Sequence, residues 1–186
     1  MFFNRVQVDA EMTAICSDNY AGAILAANRL LSQVRTWLAF VGGRTETSTH
    51  LERRRGFIDT LEATRVPLSH DEIGNFEYEQ AYEIGRDLFA DSRPPDGVFC
   101  ANDNMGLALI DAAHAANLHP GRDVSIIGYD DVAMAHCARY QLTTISQQVD
   151  VMVERTLALV ANVATERDAG SGIEIVPAKL IERDSG

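Results

Sequence analysis

Short apolar runs recur along this chain, each followed by a stretch with helical periodicity. The runs are Ala14-Ile15-Cys16, Trp37-Leu38-Ala39-Phe40-Val41, Val98-Phe99-Cys100-Ala101, Val124 to Tyr129 and Leu142-Thr143-Thr144-Ile145. A strand with one face in water alternates apolar and polar residues, and these runs largely do not, so they must be covered on both faces. Strands of that kind, separated by helices, specify an α/β fold in which a parallel sheet is flanked by helices on both sides.

The intervening segments carry the expected helix signals. Ser17-Asp18-Asn19 reads as a cap, followed by a stripe of Tyr20, Ile24, Ala27 and Leu31 on one helical face. The polar loop Thr45 to Thr49 caps a helix whose buried face is expected to include Phe57, Ile58 and Leu61. Val66-Pro67 begins a loop, because the residue before proline is pushed out of helical geometry. A third helix runs from about Glu77 to Ala90 and ends at the break Pro94-Pro95-Asp96-Gly97. Asn102-Asp103 caps an alanine-rich helix with Met105, Ala108, Leu109, Ala112, Ala113 and Ala116 on one side. Asp130-Asp131 opens a short helix; at most one of the pair caps it while the other can face the crevice. Val149 to Val163 is a further helix, Ile173 to Val176 a strand, and Lys179 to Glu182 a terminal strand. There is no internal repeat.

Composition narrows the function. The chain has 186 residues, with 16 Lys+Arg against 27 Asp+Glu and a net charge of −11. Such a surface repels phosphate backbones, which argues against nonspecific nucleic-acid binding by this chain alone. A content of 46% hydrophobic and 23% charged residues excludes intrinsic disorder. No apolar run approaches the ~18 residues of a membrane span. The start Met1-Phe2-Phe3-Asn4-Arg5 lacks the basic and apolar regions of an export signal. Cys16, Cys100 and Cys137 are odd in number and far apart, which reads as buried thiols in a reducing compartment.

In an open parallel sheet, ligands lie beyond the carboxyl ends of the strands. The residues expected there are Asp18, Gly42-Gly43 with the threonine-rich loop, Asn102-Asp103, Asp130-Asp131 and Gln147-Gln148. Carboxylates, amides and hydroxyls suit a neutral polyhydroxylated ligand, and Phe76 can cover a sugar face or a base ring. Each of these polar residues is also an ordinary helix cap, and for any one alone capping is the simpler explanation. Arg53-Arg54-Arg55 is a solvated helix surface from which one arginine can face inward. Enzyme signatures are missing: there is no G-x-G-x-x-G, P-loop or G-x-S-x-G, and the five histidines lack metal-ligand spacing. No catalytic residue, metal or cofactor is indicated. A hydrolase using Asp130 would need a partner base that spacing does not place, so a binding module is favoured over an enzyme.

These residues fall into an ordered set that resembles the C-terminal core of LacI-type (LacI/GalR) bacterial transcription regulators. The set is Gly43 with Arg53-x-x-Gly56-Phe57, then Pro95 to Asp103, then Asp123 to Asp131, Leu142 to Gln147, and Leu180 to Ser185. The resemblance covers nearly the whole chain. It implies a periplasmic-binding-protein-like (type I) core that senses a sugar- or nucleoside-like effector and forms a homodimer. It further implies cytoplasmic action on operator DNA, with no membrane or cofactor involved. Carried over by position, Arg53 is similar to the family's ligand-clamping arginine, Asp130 to its ligand-binding aspartate and Asn102 to its effector-binding amide. Phe76 stands at the stacking position, Thr47 and Thr49 on the polar pocket loop, and Gln147 and Asp18 at crossovers beside the cleft. Asn4 resembles a pocket residue of the other subdomain, and Leu107 a dimer-interface position.

The resemblance also implies that the family's DNA-reading helix-turn-helix head is absent from this chain, so DNA contact would come only through that head. Residues 20–146 and 177–186 would form the C-terminal subdomain, and residues 1–19 and 147–176 remnants of the N-terminal one. Val34 stands where a glycine usually separates helix from strand, and Gln141 where proline is common. The alternative with the same fold is a periplasmic-type sugar-binding protein of a transporter.

Overall fold

Strands that lack a polar face need cover on both sides, and helices supply it in the computed structural model, which describes residues 2–3, 13–164 and 172–186. In chain order the elements are β1 (Phe2–Phe3), β2 (Thr13–Ser17), α1 (Asn19–Ser32), β3 (Leu38–Gly42) and α2 (Ser48–Thr64). Then come β4 (Leu68–Ile73), α3 (Tyr78–Ala90), β5 (Gly97–Cys100), α4 (Asp103–Ala115) and β6 (Ser125–Asp130). A 3-10 turn (Ala133–His136), β7 (Thr143–Ser146), α5 (Val149–Ala164), β8 (Gly172–Val176) and β9 (Lys179–Ile181) complete the order.

A six-stranded sheet has the order β4-β3-β5-β6-β7-β9. Its registers pair Leu38 with Gly97, Gly97 with Ser125 and Ile127 with Thr143, all parallel, and β9 closes the edge antiparallel to β7. A separate parallel sheet has the order β1-β2-β8, with α5 packed on it through Met152, Ile15 and Val176.

At the centre, Phe40, Phe57 and Phe99 meet with ring centroids 5.2–5.9 Å apart. The helix α4 is buried on nearly every side from Met105 to Ala113, although Ala116 is exposed. The stripe expected on α1 is displaced: its buried residues are Gly22, Ala23, Ala26, Ala27 and Leu30, and only Ala27 is shared. Small side chains explain this, because they let α1 come close to α2. A Cβ on Gly56 would lie 2.3 Å from the Tyr20 carbonyl oxygen. Tyr20 itself turns outward to donate to Asp59 at 2.9 Å.

Three other expectations are corrected. The segment after Val66-Pro67 is not only a loop but also the edge strand β4; paired on one side alone, it tolerates Ser69, His70, Asp71 and Glu72. Cys16 and Cys100 are buried, whereas Cys137 is exposed on the turn that follows the 3-10 helix. Ile58 is only half-buried, while Phe57 and Leu61 are fully buried. Among the described residues, no helix is long and apolar enough to cross a membrane.

Candidate functional site

The carboxyl ends of β2, β5, β6 and β7 converge with the first turns of α1, α2 and α4. Arg53 lies at this point, on the second turn of α2 and only 3% exposed. Its Nε donates to Asn19 Oδ1 at 2.8 Å and its Nη1 to the Ala101 carbonyl at 2.5 Å. The same Nη1 stands 3.5 Å from Asp130 Oδ1. The guanidinium lies 3.5 Å above the centroid of the buried Tyr129 ring. Removing a cation from water is costly, and the ring face with two oxygen acceptors offsets part of that cost. This arrangement fixes the plane of the fork before any ligand arrives.

Asp130 ends β6 with φ 121°, and Asp131 follows at φ 58°. Gln147 Nε2 donates to Asp130 Oδ1 at 2.5 Å. Burial pushes the Asp130 carboxyl up, with Arg53 and Gln147 pulling it back. The Tyr129 hydroxyl donates to the Asp18 carbonyl at 3.3 Å, so the end of β6 is tied to the start of α1. Arg53, Asp130 and Gln147 therefore form one bonded group, with Asp18 joined to it through Tyr129.

Several expected ligand residues are engaged as caps. Asp18 accepts from the Ala21 amide at 2.9 Å and Asn102 from Met105 at 3.0 Å. Thr47 accepts from His50 at 3.3 Å while donating to the Arg44 carbonyl at 2.8 Å. Thr49 is buried and donates to Thr47 at 3.4 Å. Capping consumes the Asn102 oxygen and leaves its amide as a donor. Phe76, at φ 66°, seats its ring on Gly43, where a Cβ would stand 1.9 Å from the ring. Asn4 lies outside the described residues.

Leu107 is 6% exposed and packs into the chain's own core. One expectation fails here. Neither Asp130 nor Asp131 caps the short helix. Asp131 instead accepts from Arg183 Nη2 at 2.7 Å and lies 3.3 Å from His136. Of the arginine run, Arg54 bonds Asp71 and Arg55 bonds Glu52, and only Arg53 turns inward.

A family model described as a periplasmic binding protein-like domain matches residues 27–186. The chain belongs to this family, as a LacI-type effector-binding core. A repressor named PurR from Yersinia pestis (strain Pestoides F) is 30% identical over 175 residues, covering 92% of this chain and 51% of that protein. The chain thus spans about half the length of the curated relatives it matches. A complex of the transcriptional regulator CelR with cellobiose is 26% identical with TM-score 0.90, over 99% of this chain and 57% of that one. The lac repressor dimer bound to operator and the anti-inducer ONPF shares the fold at 21% identity and TM-score 0.90, over 99% and 64%.

In this LacI-type core, sequence reasoning missed Asn19 and Tyr129. By local pattern Asn19 is part of a cap and Tyr129 the end of an apolar strand. What sets them apart is contact with Arg53, which comes from another element.

Proposed function

We propose that this chain senses a small sugar- or nucleoside-like effector and forms the dimerising core of a transcription regulator. The observation that carries the reading is the Arg53 fork, stacked on Tyr129 and pinned by Asn19 and Ala101 beside the Asp130 carboxylate. A planar donor and an adjacent acceptor match vicinal hydroxyls or the edge of a base. Asp130, Gln147, Asn102, Asp18, Thr47, Thr49 and Asn4 then supply polar contacts, and Phe76 the apolar cover. Residues 20–146 with 177–186 form one subdomain and residues 1–19 with 147–176 belong to another; the separation into two sheets supports this division.

The protein acts in the cytoplasm and is not an enzyme. The effector shifts a dimer between two arrangements, which requires it to bind one more tightly than the other. DNA is reached through a part of the regulator other than these residues, whose net charge of −11 is unsuited to it. A thermal-shift screen of mono- and disaccharides, nucleosides and free bases tests the reading. A ligand at 100 times its Kd adds about 2.7 kcal/mol of stability. Arg53→Lys and Asp130→Asn should each abolish the shift while the protein stays folded. No stabilisation by any compound would overturn the effector assignment.

A further inference from the structure

A strained turn persists only where its surroundings force it. Asp130 and Asp131 are consecutive and both have positive φ, a conformation that L residues rarely adopt. Gln147 and Arg53 hold the Asp130 carboxylate. On the outer side, Arg183 clasps Asp131 at 2.7 Å and also donates to the Leu142 carbonyl at 2.7 Å. On the inner side, the first residue of α4 enters the sheet.

Asp103 is fully buried, and each oxygen of its carboxylate has a partner on a different segment. Oδ2 accepts from the Val132 amide at 2.8 Å, directly after the strained pair, and Oδ1 accepts from the Thr144 hydroxyl on β7 at 2.5 Å. The sheet leaves room for this carboxylate: Gly128 on β6 pairs with Thr144, and a Cβ there would stand 2.2 Å from Asp103 Oδ1. Asp103 also follows Asn102, the cap of α4, so it links the helix that presents Asn102 to the turn that presents Asp130. Its cost is plain, because Asp130, Asp131 and burial itself all disfavour a charge at this point.

We propose that Asp103 is a positioning residue that fixes the Asp130–Val132 turn in its ligand-ready conformation by accepting the Val132 amide. It touches no effector; it sets where the Asp130 carboxylate stands relative to Arg53 and Asn102. The proposal rests on the effector reading for its purpose, but its test uses no effector, so the two fail separately.

Amide hydrogen exchange of the apo protein at pH 7.5 compares Asp103→Leu with Asp103→Asn. Both variants fill the volume and remove the charge, and only asparagine can accept from Val132 while donating to Thr144. In Asp103→Leu, deuterium uptake by the fragment spanning residues 129–133 should accelerate about tenfold or more, while fragments from β3 and β5 exchange as in the wild type. Asp103→Asn should retain most of the protection. Carbon-13 titration of the Asp130 carboxyl supplies a second readout: its raised value survives in Asp103→Asn and falls towards an ordinary carboxylate in Asp103→Leu. Thr144→Val removes the donor that orients Oδ1 and should give a smaller acceleration of the same fragment, which keeps the test decisive should Asp103→Leu fold poorly. Equal exchange in wild type and Asp103→Leu would overturn the proposal. So would equal acceleration in the leucine and asparagine variants, or no acceleration in Thr144→Val.

Discussion

At the residue scale, the buried Asp103 carboxylate makes stability depend on pH. Burial pushes it up to about 6, with the Thr144 and Val132 hydrogen bonds pulling it back and Asp130 and Asp131 adding to the rise. The folded form therefore holds this proton between about pH 4 and 6, where the unfolded chain has released it. From this group, stability increases as pH falls through that window and levels off below it. Urea unfolding of wild type against Asp103→Asn should show the wild type gaining about 2 kcal/mol relative to the variant between pH 6.5 and 4. A second residue carries needless strain. Val34 is 81% exposed and adopts φ 60°, where a β-branched side chain is disfavoured. Val34→Gly should raise stability by about 1 kcal/mol, read from the same urea curves. The sequence signalled this site, since glycine is usual there in the family. Gln141, at φ 41°, has the opposite character: a proline there could not adopt that angle and would lose the bond from its amide to Cys137.

At the element scale, the close approach of α1 to α2 brings Asn19 within reach of Arg53. Gly56 permits that approach, so Gly56→Ala should cost about 1–3 kcal/mol in a thermal melt followed by circular dichroism. Periodicity located both helices but chose the wrong face of α1. Apolar spacing marks Tyr20, Ile24 and Leu31 as strongly as it marks alanines, and only the space available between helices favours the alanines. The edge strand β4 escaped for a related reason: its pattern is polar because one neighbour and partial exposure suffice there.

At the scale of the whole molecule, the two sheets are unequally covered. The six-stranded sheet carries helices and a continuous core, whereas Ile173 and Ile175 on β8 are each 48% exposed, on the face opposite Glu174, which meets Arg155 of α5. Exposed apolar groups of this kind favour association between molecules. Ile173→Thr with Ile175→Thr keeps strand propensity and should reduce light scattering of the purified chain without lowering its melting temperature. The net charge of −11 works against that association and is also why electrophoretic mobility shift with operator-length duplex DNA should show no specific binding by these 186 residues.

The sequence by itself determined the α/β class, the order of most elements and the edge of the sheet where a ligand belongs. Those follow from burial on both strand faces and from local caps, which act between near neighbours. Strand-end reasoning named Asp130 and Gln147, family likeness singled out Arg53, and the structure joins Arg53 and Gln147 to Asp130. Only tertiary structure decided that Arg53, and not Arg54 or Arg55, turns inward onto Tyr129, and that Asp103 grips the turn beside Asp130. Each of these depends on distance between segments far apart in the chain. A one-dimensional pattern carries residue type and spacing, but not which carboxylate faces which amide across a sheet.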